Sequence, residues 1–165
     1  MALHPSSKMQ NIKTSLEAFV YDVFDSGLGW TVDYEGRPFE SGVTKDKFEW
    51  IQPRILDTFD PTLKAKSASD RRGNRASILF SFNIFVSRSG TTKFNRHYEM
   101  RDLAMENMYS GVSIPLRDYH GGTTRPWTCL MKIDDLETDR AIPNDNYHQY
   151  NLTFLIGWMR EWPSS

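Results

Sequence analysis

Two stretches of strict alternation constrain this chain more than anything else in it. Between Ala76 and Arg88, the residues Ile78, Phe80, Phe82, Ile84 and Val86 fall on one side of an extended backbone, while Ser77, Ser81, Asn83 and Ser87 fall on the other. Further on, Tyr150, Leu152, Phe154, Ile156 and Trp158 repeat the pattern against Gln149, Asn151 and Thr153. Strands patterned this way build a sheet with one dry face and one mostly polar face, and the dry face needs a cover.

Two helical segments can supply it. Ile12, Leu16, Phe19, Val20 and Val23 recur at helical spacing, Thr14 and Glu17 offer a capping-box start unless the helix begins earlier, and Gly27 and Gly29 stop the run. A second helix is expected from Thr91 to Ser110, with Met100, Leu103, Ala104, Asn107 and Met108 on one stripe and Gly111 as its C-terminal stop. The remaining segments read as strands. Trp30, Val32 and Tyr34 alternate with Thr31 and Asp33, and residues 47–57 carry Phe48, Trp50 and Leu56, with Pro53 marking an edge or a bulge. Val112–Leu116 is a short strand, His120–Pro126 a turn, and Trp127–Leu136 a longer strand ending in the acidic run Asp134, Asp135, Glu137 and Asp139. The expected fold is α+β: a mixed, mainly antiparallel sheet packed against two α-helices, with a long basic loop.

A length of 165 residues suits one domain over residues 1–165, and 39% hydrophobic with 25% charged residues is an ordinary globular composition. No apolar run approaches the ~20 residues of a membrane span. Met1–Gln10 lacks the hydrophobic centre of a secretory signal, so the chain is expected to stay in the cytosol where it is made. The lone Cys129 can form neither an internal disulfide nor a thiolate zinc cluster.

Charge is polarised along the chain. Its net value is −4 over residues 1–60, +7 over 61–101 and −4 over 102–165. The basic part centres on the segment 61–75, read as a flexible loop carrying Lys64, Lys66, Arg71, Arg72 and Arg75, and continues through Arg88, Lys93, Arg96 and Arg101. Without interleaved aromatics it reads as a solvated surface or as a nonspecific phosphate contact.

The sequence offers no catalytic, cofactor-binding or metal-binding residues. Cys129 with His120 or His148 has the residue types of a cysteine hydrolase, but Cys129 lies within a strand and reads as structural. The acidic run lacks the alternating ligands and glycine turn of a calcium loop, and reads as a solvated strand end. His97 and Glu99 lie two apart on a helix, do not share a face, and read as surface side chains. His120-Gly121-Gly122 has no accompanying nucleophile elbow. Trp158 and Trp162 read equally as core and as interface hot spot.

In its order of elements the chain resembles the tail terminator, or tail-completion, proteins of long-tailed bacteriophages. The opening helix, the Trp30–Tyr34 strand, the Ile78–Arg88 strand, the Thr91–Ser110 helix, the Ser113–Leu116 strand and the closing Asn146–Trp158 strand carry the likeness. The resemblance implies a noncatalytic subunit that forms a ring, a hexamer in that family, on the last ring of the tail tube. Such a ring stops tube polymerisation and presents the head-joining surface. The implied partners are copies of itself, the tail tube protein and a head-completion or connector protein, with passive contact to DNA in the lumen; the implied location is the head-proximal end of the tail in the virion. The loop 61–75 stands where terminators carry a long loop facing tube or lumen. The high tryptophan content and the extended stretch Arg117–Asn146 depart from the family and leave another neck or connector role as the alternative.

Overall fold

The computed structural model describes residues 4–39, 48–59, 74–89, 94–120 and 126–160. A single 3-10 turn, Pro5–Ser7, leads into α1 (Met9–Val20), which a π-turn prolongs over Tyr21–Asp25. Then follow β1 (Glu49–Phe59), β2 (Asn74–Ser87), α2 (Arg96–Asn107), β3 (Ser113–Arg117), β4 (Trp127–Ile142) and β5 (Tyr147–Arg160). The strands form one sheet in the order β1-β2-β5-β4-β3, with antiparallel ladders throughout.

The two alternating segments are neighbours at the centre. Ile78 lies opposite Ile156, Phe80 opposite Phe154, Phe82 opposite Leu152 and Ile84 opposite Tyr150, so their apolar sides merge into one dry face. Both helices pack on it. From α1 and its π-turn come Ile12, Leu16, Val20 and Phe24, and from α2 come Met100 and Ala104 with Met108 just beyond, all in one buried cluster with β2 and β5. Phe24 sits at the centre of this cover, 4.9 Å from the Phe82 ring and stacked 5.2 Å from Trp30. The opposite face is polar in its middle, where Asn151 Nδ2 donates to Ser81 Oγ and to Asn83 Oδ1, each at 2.9 Å. Thr153 Oγ1 in turn donates to Asn151 Oδ1. One end of that face holds an aromatic cluster in which Trp50 stacks on Phe85 at 5.0 Å with Tyr147 edge-on.

Several boundaries differ from expectation, each for a physical reason. The Trp30–Tyr34 segment is not a ladder strand: it makes one parallel bridge, Val32 to Ile51, with Asp33 N–H donating to Ile51 O and Ile51 N–H to Thr31 O. The second helix begins at Arg96 and ends at Asn107, so Gly111 is not its stop. Gly111 instead has φ +97 and donates its N–H to Ile133 O, turning the chain into β3. Asn74 and Arg75, read as loop, begin β2, and residues 60–73 lie outside the described residues. The turn expected over His120–Pro126 falls largely on residues 121–125, which are also outside them.

The largest difference is β4, which runs through the acidic segment instead of stopping before it. Register shifts between Ile133 and Asp135 and between Leu136 and Thr138 add an extra residue at each site. Ile133, Leu136 and Asp139 therefore face the helices at intervals of three, and simple alternation fails. A similar shift between Ile55 and Asp57 leaves Leu56 exposed on β1, while Ile51, which was not among the expected apolar positions, is fully buried. As Pro53 implies, β1 is an edge strand.

Phe24→Ala is expected to lower the unfolding free energy by about 3–5 kcal/mol, because it empties the middle of the helix layer. Leu56→Ala should stay within roughly 0.5 kcal/mol. Denaturant titrations of the two variants measure the contrast directly.

Candidate functional site

The basic residues singled out in the sequence are drawn into the fold wherever they are described. Arg96 makes a bidentate pair with Glu49, donating from Nε and from Nη2 at 2.9 Å each, and so clamps the start of α2 to β1. Arg101 reaches from α2 to the Asp139 carboxylate on β4, which also accepts from Tyr150 OH. Hydrogen bonding from Arg101 holds the Asp139 carboxyl below the usual carboxylate range. Arg75 donates to Asp134 Oδ2 at 2.6 Å across β5. That contact requires Gly157, since a Cβ there would lie 2.4 Å from Asp134 Oδ2. Arg88 donates to Asn144 O. Lys64, Lys66, Arg71, Arg72, Lys93 and Trp162 lie outside the described residues.

Trp158 is core: it is buried, and its indole N–H donates to Ser6 O at 3.0 Å. The histidines considered beside Cys129 have other partners. His120 meets Gln10 Oε1 and Asn11 Oδ1 through its ring nitrogens, whereas His148 stacks on His97. Cys129 lies on β4 opposite Leu116. Among the described residues no group of three His, Cys, Asp or Glu side chains is placed to hold a metal ion, and no helix is long and apolar enough to cross a membrane.

Two surfaces stand out. On the sheet face away from the helices, Pro115 on β3 lies opposite Leu130 on β4, and Met159 on β5 lies opposite Arg75 on β2. Leu130 and Met159 each sit two residues beyond the paired Lys132 and Gly157, so these four residues form one row across the sheet. Leu130 is 42% and Met159 55% exposed. The second surface is a groove of about 650 Å³ beside α1, lined by Glu17, Tyr21, Tyr34, Arg37, Arg117 and Tyr119 among others. Arg37 lies 4.9 Å over the Tyr34 ring, and Tyr34 OH donates to Asp25 Oδ2. Burial, reinforced by that hydrogen bond, pushes the Tyr34 hydroxyl above its ordinary range.

His97 corrects an expectation. It is not a surface side chain but 7% exposed, with its ring parallel to that of His148 at 4.5 Å. The signal was present in the spacing: His97, Met100 and Ala104 share the buried stripe of α2. Its Nδ1 is buried without a hydrogen-bond partner among the described residues. Desolvation first, then the nearby His148 and Arg88, lower its affinity for a proton.

Because the folded state binds that proton less readily than the unfolded chain, stability is expected to hold above about pH 6.5 and to decline as the pH falls through the folded-state value. A second loss follows below about pH 4, where Asp139 gives up its pairing with Arg101 and Tyr150. His97→Phe should remove the first decline and keep the second, as read from urea midpoints across this range.

No protein-family model and no curated protein matches the sequence. A solved structure known only by a sequence identifier superposes with a TM-score of 0.62 at 12% identity, over 96% of this chain and 99% of its own. At that identity the likeness is one of fold: the arrangement of helices and antiparallel sheet is shared along almost the whole of both chains.

Proposed function

We propose that this chain is a structural subunit that assembles head to tail into a ring on the end of a phage tail tube, stopping its growth and offering the surface for head joining. The observation that carries the reading is the presence of two unlike exposed surfaces. One is the exposed row of Pro115, Leu130 and Met159; the other is the 650 Å³ groove rich in tyrosine and arginine. A closed ring needs heterologous contacts, and these join two different patches of the same subunit. Tyr and Arg are the residue types that dominate interface hot spots, and an apolar row is what such a groove desolvates.

Among the described residues, the internal use of the cations favours the same reading. Arg75, Arg96 and Arg101 face carboxylates of their own chain, which leaves them poorly placed to neutralise phosphates. A hydrolase built on Cys129 gains no support from the positions of His120 and His148. A different neck or connector role would use the same two surfaces and differ in what the ring caps.

The test uses two single variants, Leu130→Lys and Tyr21→Lys. Each alone is expected to remain monomeric in light scattering while unfolding like the parent, which should form rings visible by electron microscopy. Mixed together, they should give a heterodimer and nothing larger, because one intact row still meets one intact groove. A parent chain that stays monomeric and leaves purified tail tubes uncapped would defeat the proposal.

A further inference from the structure

We infer that the cleft between the first turn of α2 and the start of β5 is a binding site for a dianionic phosphate group, held by Arg88 and the stacked His97 and His148. This assignment stands apart from the assembly reading and uses neither of its surfaces.

The cleft has a volume of about 280 Å³ and is lined by Arg88, His97, Tyr98, Tyr147, His148 and Gln149 among others. Three observations give it the character of an anion site. First, its nitrogen-bearing side chains gather without a carboxylate among them. The charged groups acting on His97 are His148 and Arg88, both of the cationic type. Of the carboxylates on the adjoining elements, Glu99 and Glu49 pair with Arg96 and Asp139 with Arg101 and Tyr150, while Asp145 stands exposed in the turn between β4 and β5. Second, His97 keeps a buried ring nitrogen with no hydrogen-bond partner among the described residues, a cost that a bound ion would relieve. Third, His97 stands in the first turn of α2, whose N-cap Asn95 makes no side-chain hydrogen bond to the helix. The first-turn Glu99 offsets part of the positive charge at this end of the twelve-residue helix, and is itself drawn to Arg96.

Charge selects the ligand class. Arg88 supplies one permanent positive charge, and a proton taken up by one imidazole of the pair supplies a second. A phosphate monoester carries about −1.5 to −2 at neutral pH and matches both. A carboxylate or a phosphodiester carries a single negative charge and leaves one cation uncompensated. Binding and protonation then reinforce each other: the bound dianion makes His97 easier to protonate, and a lower pH favours binding until the phosphate itself takes up its second proton near pH 6.

The probe is the monoester methyl phosphate, titrated near pH 7 into the parent chain at constant ionic strength while the imidazole resonances are followed by NMR. Saturable shifts of the His97 and His148 signals are expected, with His97 titrating at higher pH once methyl phosphate is bound. Arg88→Gln should weaken the response at least about tenfold, the loss of one charge-assisted contact. Acetate and dimethyl phosphate form the other arms and should act much more weakly. The assignment is overturned if methyl phosphate leaves both histidines unmoved, if the monoanions do as well as the dianion, or if a folded Arg88→Gln chain responds like the parent.

Discussion

The pairing of β2 with β5 is the constraint from which the remainder follows. Fourteen residue pairs run from Asn74 opposite Arg160 to Ser87 opposite Tyr147 without a register shift. An unbroken ladder of that length commits every odd and even residue of both strands to a face. It brings Phe80 beside Phe154 and Phe82 beside Leu152, and so defines the dry surface that α1 and α2 must cover. It also places Ser81, Asn83, Asn151 and Thr153 together on the far side, where they satisfy one another. The clamps from α2, Arg96 to Glu49 and Arg101 to Asp139, then reach outward to β1 and β4 from a helix already seated over the centre.

What the sequence made legible follows the regularity of the ladder. In β2 and β5 the side-chain period is two from end to end, and the faces read from the residues are those observed. In β4 the rule breaks, because two bulges convert alternation into steps of three and carry Asp139 to the helix side. A reader counting in twos sees only an acidic tail to a strand. Local patterning has no access to the register of a partner strand, and a bulge is a property of the pair. The same limit hid the role of the arginines. Charge along the chain was visible, but the pairing of Arg75 with Asp134 joins residues 59 apart and depends on a glycine in the strand between them.

The candidate sites divide along similar lines. Tyr21, Tyr34, Arg37 and Tyr119 meet only because α1, the turn after Trp30 and the end of β3 converge at one groove, and no spacing announces it. His97 was within reach of sequence reasoning: helical periodicity put it on the buried stripe, and comparison with Glu99 alone obscured that. Its stacking partner on β5 was not within reach, since α2 and β5 are joined only through the tertiary fold.

The position of β5 has a consequence for how the molecule comes into being. It follows all the other strands in the sequence yet lies between two of them. As the chain leaves the ribosome, the β1–β2 pair and the β3–β4 pair can each form early, but each presents a long unsatisfied edge, that of β2 with Phe80, Phe82 and Phe85 along it. Those edges are templates for pairing with the wrong molecule until the last strand arrives and joins them. Closure depends on contacts distant in sequence and therefore proceeds slowly compared with helix formation. The nascent chain is thus most open to mispairing in the interval before β5 has emerged and joined the two halves.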